Sequence, residues 1–182
     1  RAMWGYDSAS DALLLMLLPT LIVLGGLAVS MAVRWPLAGL FTAVVVVIFA
    51  AYNVITATYY VRPVNLVSNA LDSQIGAALA DSIGANATVK AFGAESREAG
   101  RFAGVAARWR VAVIRTWNRF NLVGLGQNIL LIILQAGLTG MLVWAWTRGE
   151  ASAGDVAFAI TSFMLMAGYM RNFSEITRML QK

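Results

Sequence analysis

Three stretches of this chain, 12–33, 35–61 and 120–147, contain no charged residue. A fourth apolar run, 151–170, carries only Asp155, close to its start. A helix needs about 20 mostly apolar residues, at 1.5 Å of rise each, to cross the hydrocarbon layer of a bilayer. All four runs meet that length. Only 13% of the residues are charged and 59% are hydrophobic, whereas a soluble domain has about a quarter charged. The expected fold class is therefore all-α, a polytopic membrane protein with four transmembrane helices.

The connections between these runs are unequal. Arg34, Trp35 and Pro36 make a tight link between the first two spans, with Pro36 suited to the first turn of a helix. Residues 148–155 form a short polar loop before the fourth span. Between the second and third spans lie the 58 residues from Arg62 to Arg119, with eight basic and four acidic side chains. Leu66, Ala70, Ser73, Ala77, Ala80 and Gly84 recur there in three- and four-residue steps, as do Phe102, Val105, Trp109 and Ala112. Arg101, Arg108, Arg115 and Arg119 fall largely along another face. The spacing predicts two long helical extensions joined by a short element near residues 87–102.

The charges also orient the chain. Residues 62–119 are net +4, the two short loops sum to zero, and the tail with Arg171, Glu175, Arg178 and Lys182 is net +2. Lys and Arg bias loops towards the cytoplasm, which places both termini and residues 62–119 inside. Trp35, Trp144 and Trp146 then mark the outer interface, and Trp4 and Trp117 the inner one. The net charge of +5 reads as orientation in a cell membrane, with the bilayer as partner and no nucleic acid. Arg- and Ala-rich usage points to a bacterial inner membrane. The first residue, Arg1, has no signal-peptide cleavage pattern before it, so the chain reads as a piece of something longer.

Several chemistries are excluded for this polypeptide alone. It has no cysteine and no histidine, hence no thiolate or imidazole for catalysis or metal binding. Its carboxylates form no acid–base pair. No Gly-x-x-x-x-Gly-Lys-Ser/Thr loop is present to cradle ATP phosphates. The chain is expected to be no enzyme by itself and to bind no cofactor or metal. No acid or base lies deep in a span, which argues against a proton-coupled carrier.

Thr88-Val89-Lys90-Ala91-Phe92-Gly93-Ala94-Glu95, followed by Glu98 and Arg101-Phe102, resembles the second intracellular loop of ABC exporters. Members of that family carry Val-Lys-x-Phe-x-x-Glu-x-x-Glu between their fourth and fifth membrane helices. Gly149 through Gly154-Asp155-Val156-Ala157-Phe158 resembles the Gly-x-x-x-x-Gly-(acidic)-x-x-Ala-Phe stretch that opens the family's sixth helix. In one departure, Ala85 stands where family members often have glycine, with Gly84 adjacent. The resemblance implies that residues 1–182 are a partial transmembrane domain equivalent to helices three to six. Residues 1–11 would follow the first intracellular loop, and the nucleotide-binding domain would lie outside this chain.

On that resemblance the joining element is a coupling helix that docks into a nucleotide-binding domain of the opposite subunit of a dimer. Phe92 would be the anchor, with Val89, Lys90, Ala91, Gly93, Ala94, Glu95, Arg97 and Glu98 around it. ATP and Mg²⁺ would sit on that partner domain, and its closure would switch the cavity from inward- to outward-facing. The blander reading is a solvated turn in which Phe92 caps a helical hairpin. The ordered pattern and its placement favour coupling.

Within the spans, Asn121, Asn128 and Gln135 share one stripe, with Gln127 beside it, and Tyr52, Thr56 and Tyr59 make another. They are candidates for lining a substrate pathway, but helix-to-helix hydrogen bonding is the more usual role of such residues. Gly124 with Gly126, and Gly137 with Gly140, permit close backbone approach. Pro19 is expected to kink the first span. Two other functions remain open: a four-helix membrane scaffold or regulator whose hairpin recruits a partner, and a fragment of a secondary carrier. Nothing in the sequence selects a substrate.

Overall fold

The computed structural model describes the backbone of residues 18–179 and the side chains as far as Arg171. Trp4, residues 12–17 of the first expected span and Lys182 lie outside the described residues, as do the side chains of Glu175 and Arg178. The described chain is helical throughout, without strands: α1 (Leu18–Arg34), α2 (Pro36–Ile55), a π-helical segment (Thr56–Val61), α3 (Arg62–Gly84), α4 (Asn86–Ala91), α5 (Glu95–Thr147) and α6 (Ala153–Met179). Three helical runs, Pro36–Gly84, Glu95–Thr147 and Ala153–Arg171, are long and apolar enough to cross a membrane. The described part of α1 is apolar and 17 residues long.

The chain divides into two compact units. The first comprises residues 1–57 and 124–182, and the second residues 58–123. In the first unit α1, α2, α6 and the C-terminal part of α5 share a core of Leu24, Met31, Val45, Phe49, Leu134 and Met166 and their neighbours. On α5 the buried residues are Leu131, Leu134, Leu138 and Leu142, spaced as one face of a helix. The opposite faces are equally apolar, for Val29, Leu37, Val47 and Ile132 are all exposed. A helix that is hydrophobic all round suits hydrocarbon on its outer side.

The turns of this unit follow simple rules. Only Trp35 separates α1 from α2, and its N–H donates to the Met31 carbonyl at 2.7 Å. Pro36 occupies the first turn of α2, where its missing N–H has no partner to lose. A Cβ on Gly39 would fall on the Ala32 backbone, so glycine there lets the two helices touch. At the far end of α5, Gly149 adopts φ +76°, the left-handed conformation that ends helices. The Gly149 and Glu150 N–H groups donate to the Trp146 and Ala145 carbonyls at 2.9 and 3.0 Å. Ser152 and Asp155 then cap α6 reciprocally: Ser152 N–H donates to Asp155 Oδ2 at 2.9 Å, and Asp155 N–H to Ser152 Oγ at 3.2 Å. Arg34 pairs with the same carboxylate at 3.2 Å.

The second unit is an antiparallel hairpin of α3 and the first part of α5, closed by α4. Its inward residues on this arm are Val61, at the end of the π-helical segment, and Val64, Ser68, Leu71, Ile75, Ala78 and Ser82 of α3, all buried or half-buried. Those on α5 are Glu98, Phe102, Val105, Trp109, Ala112, Thr116 and Arg119. Both rows alternate steps of three and four, the seam spacing of a coiled coil. Four hydrogen bonds fix the register: Ser82 to Glu98 (2.7 Å), Trp109 Nε1 to Asp72 (3.0 Å), Thr116 Oγ1 to the Val64 carbonyl (3.3 Å), and Arg119 to the Tyr60 carbonyl. Each step along one arm is matched by a nearly equal step back along the other.

One sequence expectation changes here. The residues whose spacing marks the second arm as helical are half-buried, whereas Leu66, Ala70, Ser73, Ala77, Ala80 and Gly84, which mark the first, are all exposed. Arg119 leaves the arginine stripe, because its guanidinium lies 4.6 Å over the Tyr60 ring inside the seam. The first arm is small and apolar on more than one face, so periodicity alone had two solutions.

Candidate functional site

The tip of the hairpin is built by local backbone chemistry. α3 ends at Gly84, and Ala85 takes φ −88°, ψ 4°, outside the helical region. That non-helical residue redirects the chain into the six residues of α4, without the glycine that the resemblance puts nearby. α4 is closed by Gly93 at φ +59°. The Gly93 N–H donates to the Lys90 carbonyl at 3.2 Å, and the Ala94 N–H to the Val89 carbonyl at 2.9 Å. These two bonds are a Schellman motif, which needs a left-handed residue that glycine adopts without steric penalty. α5 then starts at Glu95 with Glu95 and Glu98 in its first turn, where carboxylates complement the helix dipole.

This turn leaves Phe92, immediately before the left-handed residue, 80% exposed. Thr88, Val89, Ala94 and Arg97 line an open concavity beside it. Lys90, Ala91, Glu95 and Arg97 are exposed, while Val89 and Ala94 are half-buried. Of the sequence-selected tip residues, Phe92, Lys90, Glu95 and Arg97 therefore form an outward surface.

Glu98 does something else. Its carboxylate accepts a hydrogen bond from Ser82 at 2.7 Å, a bifurcated one from Arg101 Nε at 3.0 and 3.1 Å, and one from Arg101 Nη2 at 2.5 Å. The Arg101 hydrogen bond, and next the one from Ser82, hold its carboxyl below the usual 4.5. Glu98 thus clasps the two arms under the tip. The sequence selected Glu98 but missed Ser82, whose only signal is its place one seam step from the end of α3.

Among the membrane candidates the structure separates the two stripes from the real contact. Asn121, Asn128 and Gln135 are exposed, and their side chains hydrogen-bond to no described residue. The helix-to-helix bond is made instead by Gln127, which donates to Asn53 Oδ1 at 2.6 Å, while Asn53 Nδ2 donates to the Phe49 carbonyl at 2.8 Å. Asn53 is buried and went unselected; its amide within an apolar run was the available signal. Tyr52 is half-buried against Gly126, where an added Cβ would fall on its hydroxyl. Thr56 donates to the Tyr52 carbonyl at 2.7 Å. Tyr59 is 78% exposed: the π-helical segment changes the residues per turn, so a stripe drawn at 3.6 does not continue through it.

Among the described residues there is no cluster of three or more metal-ligating side chains. Comparison with known proteins agrees with the hairpin and its apolar bundle. Residues 6–170 match the family model described as the ABC transporter transmembrane region. The chain belongs to that family. It is 33% identical over 156 residues to the ATM1-type heavy metal exporter of Novosphingobium aromaticivorans, covering 85% of this chain and 26% of that one. It also matches the solved structure of a bacterial Atm1-family ABC exporter with ATP bound, at TM-score 0.84 and 27% identity. That match covers 98% of this chain and 32% of the other. This ABC transporter transmembrane region thus spans roughly a quarter to a third of the relatives it resembles, and it is part of a multi-pass membrane protein.

Proposed function

We propose that this chain is the membrane-spanning part of an ATP-driven exporter, equivalent to the third to sixth helices of a six-helix domain. Residues 86–97 are its coupling element towards a nucleotide-binding domain. ATP and Mg²⁺ bind on that domain and not on this chain, and a second copy or a homologous half completes the transporter. Both termini and residues 62–119 lie in the cytoplasm, and a bacterial inner membrane is the setting.

The observation that carries this reading is the exposure of Phe92. A bulky aromatic left in water on a turn that the backbone fixes rigidly is poorly placed for the hairpin's own stability. It is well placed to fill a partner's pocket, where one buried aromatic supplies much of the energy of a small contact. Lys90, Glu95 and Arg97 around it set register through charge, whereas Glu98 serves the hairpin itself. The exposed Asn121, Asn128 and Gln135 are candidates for the substrate pathway or for contact with other helices of the assembled protein. Tyr59 is assigned to neither.

The test is Phe92→Ala in the full transporter. Transport should fall by on the order of thirtyfold, the effect of losing a hot-spot residue worth about 2 kcal/mol, while basal ATP hydrolysis persists. Heavy-metal compounds, the cargo named for the relative from N. aromaticivorans, are the first substrates to try. Full transport and substrate-stimulated ATPase in the variant would remove Phe92 as anchor. They would also favour a scaffold whose hairpin binds some other partner.

A further inference from the structure

The root of the hairpin has a charge pattern that the coupling reading does not use. From Thr58 to Leu71 and from Arg110 to Val123 there are four arginines, Arg62, Arg110, Arg115 and Arg119, and no acid. The first acids encountered towards the tip are Asp72 and Glu98, and Trp109 and Arg101 already engage these. Arg119 is committed to the Tyr60 carbonyl and ring. Arg62 and Arg115 are exposed and make no hydrogen bond or ion pair with a described residue.

Their depth is informative. The charge-free runs end at Val61 on one arm and begin at Phe120 on the other. Arg62 is therefore the first residue beyond the apolar segment, and Arg115 lies about 7.5 Å below Phe120 at 1.5 Å per residue. The headgroup layer is roughly 6 Å deep on each side of the hydrocarbon core; Arg62 starts at its inner edge and Arg115 just past its outer edge, from where a long arginine side chain reaches back to phosphate level. Arg110, about 15 Å from Phe120 by the same rise, lies in the aqueous phase, and Arg108 lies beyond it. Trp117 is 68% exposed at the level where aromatic side chains prefer to sit. Arg115 and Trp117 flank the inward Thr116 on opposite sides, about 100° away each, so the pattern surrounds the root.

We propose that Arg62, Arg115 and Trp117 form a collar that binds anionic phospholipid headgroups of the leaflet from which the hairpin emerges. The guanidinium groups hold the phosphates, and the indole seats the glycerol region. This rests on the proposed topology, in which residues 62–119 leave the bilayer, but not on coupling.

The experiment uses the full transporter in nonionic detergent, with phosphatidylglycerol and phosphatidylcholine competing, and reads retained lipid by native mass spectrometry. Phosphatidylglycerol should be retained in preference. Arg62→Gln and Arg115→Gln should each lower that preference about fivefold, the effect of one arginine near an anionic surface, and Arg115→Lys should keep it. The control Arg108→Gln, with the same loss of one charge further from the bilayer, should leave it unchanged. Equal retention of the two lipids by the wild type, or a control as damaging as the collar variants, would overturn the proposal. Displacement of the lipid by soluble glycerol phosphate would overturn it in favour of a soluble anion. Lipid retention needs neither ATP nor transport, so failure here leaves the Phe92 reading standing, and failure of that reading leaves the collar standing.

Discussion

Glycine pairs in α5 look equivalent in the sequence and are not equivalent in space. A Cβ on Gly137 would fall on the ring of Phe41, and one on Gly126 on Tyr52, whereas Gly124 and Gly140 have nothing within 4 Å. Gly137→Ala in the purified transporter should therefore lower the thermal midpoint by several degrees, since overpacking costs about 1–3 kcal/mol, and Gly140→Ala should not. Equal midpoints would mean that Phe41 turns aside freely. Glu98 gives a second expectation at this scale. Its pKa is lowered in the folded chain, chiefly by Arg101 and then Ser82. The carboxylate's contribution is therefore fully present above its unfolded value and is lost as pH falls through the folded one. Hydrogen-exchange protection across residues 82–101, corrected for the intrinsic pH dependence of amide exchange, should be unchanged from neutral pH down to the ordinary carboxylate range and should fall below it. Glu98→Gln should flatten that dependence, and a wild-type loss of protection already near neutrality would contradict the clasp.

Among the elements, legibility followed the number of faces that a helix must satisfy. The charge-free runs located the apolar helices because the bilayer requirement involves length and polarity alone. The Pro36 start was legible because the first turn of a helix is a local matter, whereas the Ser152–Asp155 cap lay inside what read only as a polar loop. The seam of α5 was legible through Phe102, Val105, Trp109 and Ala112, large residues set among arginines. The seam of α3 was not, because alanine and serine occupy both its packed face and its exposed one. The π-helical segment at Thr56–Val61 had no composition signal, and it broke the stripe drawn from Tyr52 to Tyr59. The polar contact of the bundle was missed by one position: Gln127, and not Asn128, meets Asn53. A neighbouring residue is about 100° away on a helix, enough to exchange a buried amide for an exposed one.

At the scale of the molecule, orientation follows from where arginine is absent as much as from where it is present. Arg34 and Arg148 are balanced by Asp155 and Glu150 in the short loops, while the hairpin carries an excess of four positive charges. The absence of cysteine makes the proposed topology directly measurable. With a membrane-impermeant maleimide, Phe92→Cys should label only when the cytoplasmic side is open to the reagent, and Glu150→Cys only from the opposite side. Labelling of both from one side would refute the arrangement. The same family membership that supports export leaves the cargo to experiment, because the relatives are three to four times longer than this chain.

The matched seam of the hairpin carries a constraint on inheritance. Deleting one residue from either arm would rotate everything beyond it by about 100° and swing Phe92 to another side of the tip. Deleting seven from one arm alone would restore the rotation but leave the other arm overhanging by two turns. The arms can change length only by whole repeats and only together, so natural variation in their size would have to arrive as paired events at two separate places in a gene.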